Sequence, residues 1–277
     1  PANLRVIVVS LDGSGDYSSI QEAIDNSEPG DTILVKNGTY TGGVRFTKSG
    51  TKDKPITLMA YSGHKPVILG NLNYPKYDAT KRITVDASWI IIDGFEIKNS
   101  GENGIRINKP HVTIRNNWIH HNKFNGIYVA NVGDILIENN TIEYNGTDPE
   151  TCINNGSFSP RHCHAIYFSH KTTGCTGNPV IGLTVRNNAL GNQAGAAIQW
   201  NGDDCPNAFD GALVENNLIV DSARGLNLVH NLNNSLIINN TFSITSYPET
   251  NETSKTLIKM YNSTGNVFQN NTFHTTL

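Results

Sequence analysis

The chain has 277 residues and a formal net charge of −3, with 21 Lys and Arg against 24 Asp and Glu. The length fits one all-β domain, and so balanced a charge gives no general electrostatic reason to bind nucleic acid or an anionic membrane. Hydrophobic residues make up 37% of the chain and form no run near the roughly 18 residues that cross a bilayer. We therefore expect neither a membrane span nor a nucleic-acid partner.

The first residues carry no basic and apolar signal region, so a secreted protein would be in its mature form. Asparagine, at about 13% of the chain, is far above ordinary usage, which indicates that the architecture uses it repeatedly. Helix-forming patterns are nearly absent after residue 30, which excludes a fold built on long helices.

The first 80 residues are predicted to form a cap and the first coils of a solenoid. Residues 16–24 predict a capped amphipathic helix, because polar residues begin the segment and Ile20, Ala23 and Ile24 share one stripe. This helix is expected to cover the open apolar end of the fold. Apolar segments separated by Gly-rich turns predict four strands, at residues 31–35, 44–46, 56–60 and 67–69.

From about residue 82 a two-strand unit repeats to the C-terminus. Its first strand alternates apolar and polar residues in six copies, which begin at Ile105, Ile127, Ile166, Ile198, Leu226 and Ile258. Period two buries one face, and the 22-residue step from Ile105 to Ile127 is too short for a crossover helix. The units must therefore stack as coils of a parallel solenoid.

The second strand of each unit ends in a pair of amides. An Asn side chain offers a donor and an acceptor and tolerates left-handed backbone angles, so it suits a tight bend between strands. The second members of the pairs are predicted to form an amide ladder along the axis, made of Asn117, Asn140, Asn188, Asn217, Asn240 and Asn271. The sequence thus predicts an all-β parallel β-helix with a short N-terminal capping helix, in which 1–277 is one domain, 1–80 the cap and first coils, and 81–277 the regular coils.

Short motifs in the first coils carry a family resemblance, at residues 12–17, 21–24, 30–33, 38–40 and 49–56. They resemble the N-terminal coils of the secreted right-handed parallel β-helix superfamily, which includes pectate lyases and the alginate and chondroitin lyase group. The resemblance implies a right-handed helix, an extracellular location and an acidic polysaccharide as the substrate. It says less about chemistry, because one scaffold hosts many functions.

The outward-facing residues of the repeated first strand predict a working surface. The side chain between two buried positions must point to solvent, which gives a stacked row of aromatic, amide and cationic groups. Rings stack on sugar C–H faces and amides bond sugar hydroxyls. We expect the substrate to contact Arg106, Tyr128, Gln199, Asn201, Asn227 and Lys259. The alternative is that the row only stabilises the outer face of parallel strands.

Three long loops gather around the same coils and contain all four cysteines. Of the three possible pairings, the disulfides Cys175–Cys205 and Cys152–Cys163 are expected, because the members of each pair lie in matching or shared loops. Disulfides indicate an extracytoplasmic location. A zinc site at His162, Cys163 and His164 is the alternative, although the paired spacing of structural zinc modules is missing.

Cleavage of a uronate polymer by β-elimination needs a base, a group that neutralises the carboxylate, and an acid for the leaving oxygen. The sequence predicts Tyr167 as the acid, His170 as the base and Gln199 as the carboxylate contact, with His164 beside them. In β-helix relatives Ca²⁺ often acts with Lys or Arg. Oxygen ligands for such an ion could come from Asp203, Asp204 and Asp210 with Asn201, although a solvated turn is the simpler interpretation. A hydrolase ranks lower, because it needs two suitably spaced carboxylates.

Glycosylation sequons occur in the turn motif and in loops. Asn139, Asn239 and Asn270 belong to the repeated turn, so they are interpreted as structural. The better glycan candidates are the loop residues Asn145, Asn155, Asn251 and Asn262.

A second function class stays open. The chain stops at Leu277 without a terminal helix or polar coil, and an uncovered apolar end invites association. The chain is then expected to be either a trimmed domain or a non-catalytic structural or adhesive protein, a filament, stalk or fibre subunit, that self-associates through its C-terminal coil.

Overall fold

The computed structural model describes residues 5–72, 83–146, 153–154, 157–158, 163–170, 178–202, 205, 207–222, 224–229, 231–244 and 256–275. The chain winds into a parallel β-helix in which each regular coil gives one strand to each of three sheets. We call them sheets I, II and III, in the order in which the chain crosses them within a coil. In the described part of the chain, no helix has the length and apolar character that crossing a bilayer requires.

Sheet I has eight strands, β4 (Val44–Phe46), β7 (Ile83–Val85), β10 (Ile105–Ile107), β13 (Ile127–Ala130), β18 (Ile166–Ser169), β21 (Ala196–Asn201), β25 (Arg224–Val229) and β29 (Thr256–Met260). Sheet II has ten strands, β1 (Val6–Val9), β2 (Thr32–Val35), β5 (Ile56–Ala60), β8 (Ile90–Asp93), β11 (Val112–Arg115), β14 (Ile135–Glu138), β19 (Leu183–Arg186), β23 (Leu213–Glu215), β27 (Leu236–Ile238) and β30 (Val267–Gln269).

Sheet III has nine strands, β3 (Thr39–Thr41), β6 (Val67–Leu69), β9 (Glu96–Lys98), β12 (Trp118–His120), β15 (Thr141–Glu143), β20 (Ala189–Gly191), β24 (Leu218–Val220), β28 (Thr241–Ile244) and β31 (Thr272–Thr275). Two short pairs lie outside these sheets, the antiparallel β16 (Ile153–Asn154) with β17 (Ser157–Phe158) and the parallel β22 (Phe209–Asp210) with β26 (Leu232–Asn233). The sequence predicted two strands in each repeat, whereas the structure has three. The sheet III strand was missed because it follows the Asn pair directly and is too short to show an alternation of apolar and polar residues.

The N-terminal helix α1 (Ile20–Asp25) is shorter than predicted. It starts at Ile20 because Tyr17 still pairs with Val9 as a parallel bridge and the N-cap residue Ser19 is extended. Its Gln21 side chain accepts a hydrogen bond from the Arg45 N–H (2.7 Å) and donates one to the Arg45 carbonyl (3.0 Å). Arg45 lies on β4, the edge strand of sheet I. Helix α1 thus satisfies backbone groups that a bare sheet edge would expose.

The core is a continuous apolar column inside the coils, formed by the inward residues of all three sheets. On sheet I the inward residues include Ile105 and Ile107, and then Phe168, whose ring stacks on Trp200 with centroids 5.2 Å apart. All four side chains are at most 1% exposed. The alternation in the sequence predicted these positions correctly.

The predicted amide ladder is confirmed. Each Nδ2 donates to the Oδ1 of the next coil's Asn, with N–O distances of 2.9–3.1 Å from Asn117 to Asn271. The first Asn of each pair does not belong to the ladder. It has a left-handed backbone and turns the chain between sheets II and III. These residues have φ of 53–56° and are Asn116, Asn139, Asn187, Asn216, Asn239 and Asn270.

The other two corners also contain left-handed residues. Between sheets I and II these are Trp89, His111, Asp134, Gly182, Gly211, Asn234 and Gly265, and between sheets III and I they are Asn99, His121, Tyr144, Asn192 and Asp221. A left-handed residue turns the chain at each corner, and between sheets II and III only two residues separate the strands Val112–Arg115 and Trp118–His120. This geometry keeps the outer rows of successive coils in register.

Candidate functional site

The outer face of sheet I carries the row that the sequence predicted. Arg106 pairs in register with Tyr128, Tyr128 with Tyr167, and Tyr167 with Gln199. Alternation along each strand directs these side chains away from the core, since Ile105 and Ile107 on either side of Arg106 point inward. The row continues in register with Thr84 at one end and with Asn227 and Lys259 at the other.

The central members of the row contact one another. The Arg106 guanidinium carbon lies 4.8 Å from the Tyr128 ring centroid, and the Tyr128 and Tyr167 rings are 5.3 Å apart. Arg106 and Tyr128 are half-buried, so both keep accessible surface. A cation beside an aromatic face matches the charge and the apolar side of an acidic sugar.

A second outer row, two residues further along each strand, holds Arg106 in place. The Arg106 Nε donates to Asn108 Oδ1 (3.0 Å), and Asn108 Nδ2 donates to Asp86 Oδ1 (2.7 Å). Asp86 also forms an ion pair with Arg45 at 2.7 Å. Arg45 was not among the predicted site residues, although β4 pairs in register with β7 and places Arg45 beside Thr84 in the outer row.

Tyr167 is fixed by two neighbours. Its hydroxyl oxygen accepts a hydrogen bond from Asn201 Nδ2 (2.7 Å), and its ring stacks on His164 with centroids 5.4 Å apart. His164 Nδ1 in turn accepts from the Ala196 N–H (2.8 Å), so that nitrogen carries no proton. His164 is fully buried and contacts both the Tyr167 ring and the start of β21.

His170 does not join this group. It follows Ser169, the last residue of β18, and the alternation turns its side chain to the inner side, where it packs edge-on against the core residue Phe209 with centroids 5.9 Å apart. Burial lowers the pKa of His170 below its usual value, which keeps the imidazole neutral. The predicted pairing of Tyr167 with His170 is therefore corrected, because the two side chains lie on opposite faces of the strand.

The row is less open than predicted. Tyr167 is 4% exposed and Gln199 8% exposed, although both lie on the face directed away from the core. Tyr167 is covered on this face by Tyr128, His164 and Asn201, which contact its ring and hydroxyl. From Arg106 to Gln199, the accessible surface of the row is thus mainly that of Arg106 and Tyr128.

The far end of the predicted surface is separate. Lys259 lies over the Tyr261 ring at 5.0 Å and is five strands away from Arg106 in the register of sheet I. Parallel strands are about 4.8 Å apart, so the two cations are separated by roughly 24 Å and cannot engage the same sugar. The side chain of Asn227 lies outside what the structure describes.

The described residues do not form the predicted calcium site. Asp203 and Asp204 lie outside them, and Asp210 Oδ1 accepts a hydrogen bond from Asn234 Nδ2 (2.7 Å). Within the described ranges no three His, Cys, Asp or Glu side chains are placed to hold an ion. Because two of its predicted ligands lie outside the described residues, a Ca²⁺ site stays a prediction, and no step below is routed through a metal.

Cys163 and Cys205 are both disulfide-bonded, and no free cysteine occurs in the described part of the chain. Cys152 and Cys175 lie outside the described residues, so the pairings Cys152–Cys163 and Cys175–Cys205 stay predictions. The alternative zinc site is corrected, because a disulfide sulfur is not the thiolate that zinc requires, and the site's His162 also lies outside the described residues.

One predicted glycan site is wrong. Asn145 is fully buried, and its Nδ2, the atom that would carry the glycan, donates to the carbonyls of Ile119 (3.1 Å) and Glu143 (3.0 Å). It belongs to a second ladder at the next corner, in which Asn122 Nδ2 donates to Asn145 Oδ1 at 2.9 Å. Asn262 is exposed and stays a candidate, whereas Asn155 and Asn251 lie outside the described residues.

Comparisons with known proteins agree with this architecture. A family model described as the Pel9A-like right-handed beta helix region matches residues 12–189, more than half of the chain. The chain is 28% identical over 174 residues to pectate lyase L of Dickeya chrysanthemi, an alignment that covers 56% of this chain and 40% of that protein. The chain thus spans less than half the length of this relative.

Two solved structures share the fold. The alginate lyase from Paenibacillus sp. str. FPU-7 superposes with a TM-score of 0.64 at 16% identity, covering 98% of both chains. Pectate lyase Pel9A superposes with a TM-score of 0.56 at 17% identity, covering 94% of this chain and 78% of that one. From the match of its coils to the family model, the chain belongs to the Pel9A-like right-handed β-helix family, within the pectate lyase-like superfamily.

Proposed function

We propose that this chain binds an acidic polysaccharide along the outer face of sheet I and cleaves it by β-elimination. The observation that carries the proposal is the in-register contact series Arg106, Tyr128 and Tyr167, with Asn201 hydrogen-bonded to the Tyr167 hydroxyl. It puts a cation, an accessible ring and a hydrogen-bonded phenol on consecutive coils. The names of pectate lyase L and of the two superposed lyases support the same reaction class.

The repeat of the scaffold suits a linear polymer. Successive coils are about 4.8 Å apart, so a chain of sugars running parallel to the axis meets one outer residue of sheet I per coil. In the proposed complex Arg106 pairs with a uronate carboxylate, and the Tyr128 ring supports the apolar face of a sugar. The ion pair withdraws charge from the carboxylate and so acidifies the neighbouring C–H.

Tyr167 is assigned the proton transfers. The hydrogen bond that Asn201 Nδ2 donates to its hydroxyl oxygen stabilises a phenolate. The phenolate takes the proton beside the carboxylate, a C–C double bond forms, the C–O bond to the next sugar breaks, and the phenol returns the proton to the leaving oxygen. His170 is not needed as the base, since it lies on the other side of the strand.

The proposal also places the protein outside the cytosol. Two cysteines are disulfide-bonded, which requires an oxidising compartment, and a polysaccharide substrate would be met there.

The test is to incubate the full chain with polygalacturonate, alginate and a glycosaminoglycan and to follow the ultraviolet absorbance of the unsaturated uronate product. Tyr167→Phe should lower kcat by about 10²–10⁴-fold with little effect on KM, the size typical of a lost proton-transfer group. Tyr61→Phe, an exposed tyrosine after β5, is the matched control and should leave the rate unchanged.

Arg106→Gln should raise KM and lower kcat, whereas Arg115→Gln, an arginine on sheet II, should do neither. Absence of product with every substrate would contradict the lyase, and a fully active Tyr167→Phe variant would contradict the assignment of the proton transfers.

A further inference from the structure

A cluster of aromatic and charged side chains lies on sheet III, on a different face of the helix from the proposed polysaccharide site. It involves three neighbouring strands of the sheet. Glu96 lies on β9, Trp118 and His120 lie on β12, Glu143 lies on β15, and His121 follows β12 at the corner. Trp118 is 43% exposed and His121 is exposed, while His120 is 5% exposed. The cluster is therefore open to solvent on one side and packed on the other.

The two imidazoles converge. His120 Nδ1 and His121 Nδ1 are 2.7 Å apart, and the other nitrogen of His120, Nε2, lies 3.2 Å from Glu96 Oε1. With its Nε2–H directed at the carboxylate, His120 presents the Nδ1 lone pair to His121. A carboxylate behind an imidazole is the arrangement that orients metal-binding histidines in proteins.

We propose that His120 and His121 form a binding site for a divalent transition-metal ion, with a preference for Cu²⁺, and that Glu96 positions His120. Two nitrogens at about 2.0 Å from an ion are roughly 2.8 Å apart at the right angle of a square-planar ion and roughly 3.3 Å apart in a tetrahedron. The observed 2.7 Å is the length of a hydrogen bond between the two imidazoles, and because it is close to the square-planar spacing, an ion that replaces the shared proton needs little movement of the rings. Cu²⁺ favours that geometry and binds imidazole more tightly than Zn²⁺ does.

The protein supplies two ligands and water the others, because no group of three potential ligands is arranged around an ion position in the described ranges. In the free protein His121 Nδ1–H donates to the His120 Nδ1 lone pair, so His121 binds an ion through Nδ1 only when its proton is on Nε2. His121 is exposed, so solvent can exchange this proton. Trp118 stacks on His120 with ring centroids 3.9 Å apart. A paramagnetic ion on His120 should therefore quench Trp118 fluorescence.

The experiment is a titration of the full chain with Cu²⁺ at neutral pH, followed by tryptophan fluorescence and by calorimetry. We expect saturable quenching with one equivalent and a weaker calorimetric signal with Zn²⁺. His121→Asn should weaken Cu²⁺ binding at least about 10-fold. This variant should fold, because the chain already has Asn99 and Asn192 at the same corner with φ of 58° and 53°.

The matched control is His111→Asn. His111 also stacks on a tryptophan, Trp89, with ring centroids 3.9 Å apart, and it also has a left-handed backbone (φ 60°), but among the described residues no second imidazole contacts it. This variant should bind and quench like the unmodified chain. Glu96→Gln should weaken binding about 10-fold, the size typical of a lost partner behind a metal-binding histidine.

Trp118→Phe should keep the calorimetric binding and lose most of the quenching. Unchanged Cu²⁺ affinity in His121→Asn, loss of the signal in His111→Asn, or tighter binding of Zn²⁺ than of Cu²⁺ would each overturn the proposal.

Discussion

Replacing Asn188 with Ala should destabilise the protein far more than changing its neighbour Asn187. Asn188 is 2% exposed and makes five hydrogen bonds through its side chain. Its Oδ1 accepts from the backbone N–H (2.9 Å) and Nδ2 (3.0 Å) of Asn140. Its Nδ2 donates to the carbonyls of Ile137 and Arg186 and to Asn217 Oδ1.

The magnitude follows from which partners lose their last bond. Asn140 Nδ2 keeps its bonds to two carbonyls, the Arg186 carbonyl keeps the Asn139 N–H, and Asn217 Oδ1 keeps the Asn188 N–H. The Asn140 backbone N–H loses the acceptor that Asn188 provided. A buried donor without a partner costs about 1–3 kcal/mol, and the other lost bonds add about 1 kcal/mol, so we expect about 3 kcal/mol in all.

The assay is urea-induced unfolding followed by circular dichroism, with Asn187→Gly as the control. Asn187 is exposed and has φ of 55°, a backbone that Gly adopts freely, so the control should change the free energy of unfolding by less than about 0.5 kcal/mol. Asn188→Asp should cost at least as much as Asn188→Ala, because a carboxylate would face three oxygen atoms. If Asn188→Ala cost no more than Asn187→Gly, the reasoning on the ladder would be refuted.

Three further results are expected from the same unfolding measurement. Glu138→Gln weakens the half-exposed ion pair with Arg186 (2.8 Å) and should lower the free energy of unfolding by less than about 1 kcal/mol, and by less still at high salt. A large decrease that does not depend on salt would contradict this. Burial lowers the pKa of His170 in the folded state, so as the pH falls the unfolded chain takes up this proton first. The free energy of unfolding should therefore decrease below about pH 6.5, by up to roughly 1.4 kcal/mol per pH unit. His170→Gln should remove that part of the pH dependence, and an unchanged pH dependence would contradict the lowered pKa. Gly126→Ala would place a methyl group 2.7 Å from the Ala165 carbonyl oxygen, so it should cost about 1–3 kcal/mol, and a neutral result would show that the coil spacing can give way.

Some site features had a signal in the sequence that was not used. Asn145 follows Asn122 by 23 residues, the same step that separates Asn140 from Asn117, so the second ladder could have been found by spacing instead of being interpreted as a glycan site. The side of the strand on which His170 lies also follows from alternation, since it is two residues after the inward Phe168. Nearness in the sequence predicted the neighbours of Tyr167 less well than the alternation of inward and outward positions along the strand.

Other features depend on parts of the chain that meet only after folding. The burial of Tyr167 comes from rings and amides that other coils or strand ends contribute, namely Tyr128, His164 and Asn201. The contact of Glu96 with His120 joins adjacent coils through three-residue strands that carry no periodic pattern.

By itself, the sequence determined that the chain is a parallel β-helix, that Asn117 and its equivalents form a ladder, and that Arg106, Tyr128 and Tyr167 share one outer row. It could do so because a coil repeats its chemistry at a nearly fixed step, and equivalent positions of stacked coils must lie above one another. Only the tertiary structure decided which of those outward side chains remain accessible and which histidines meet. Those outcomes depend on how the corners bend and on which side chains of neighbouring coils cover a face, and no local pattern encodes either.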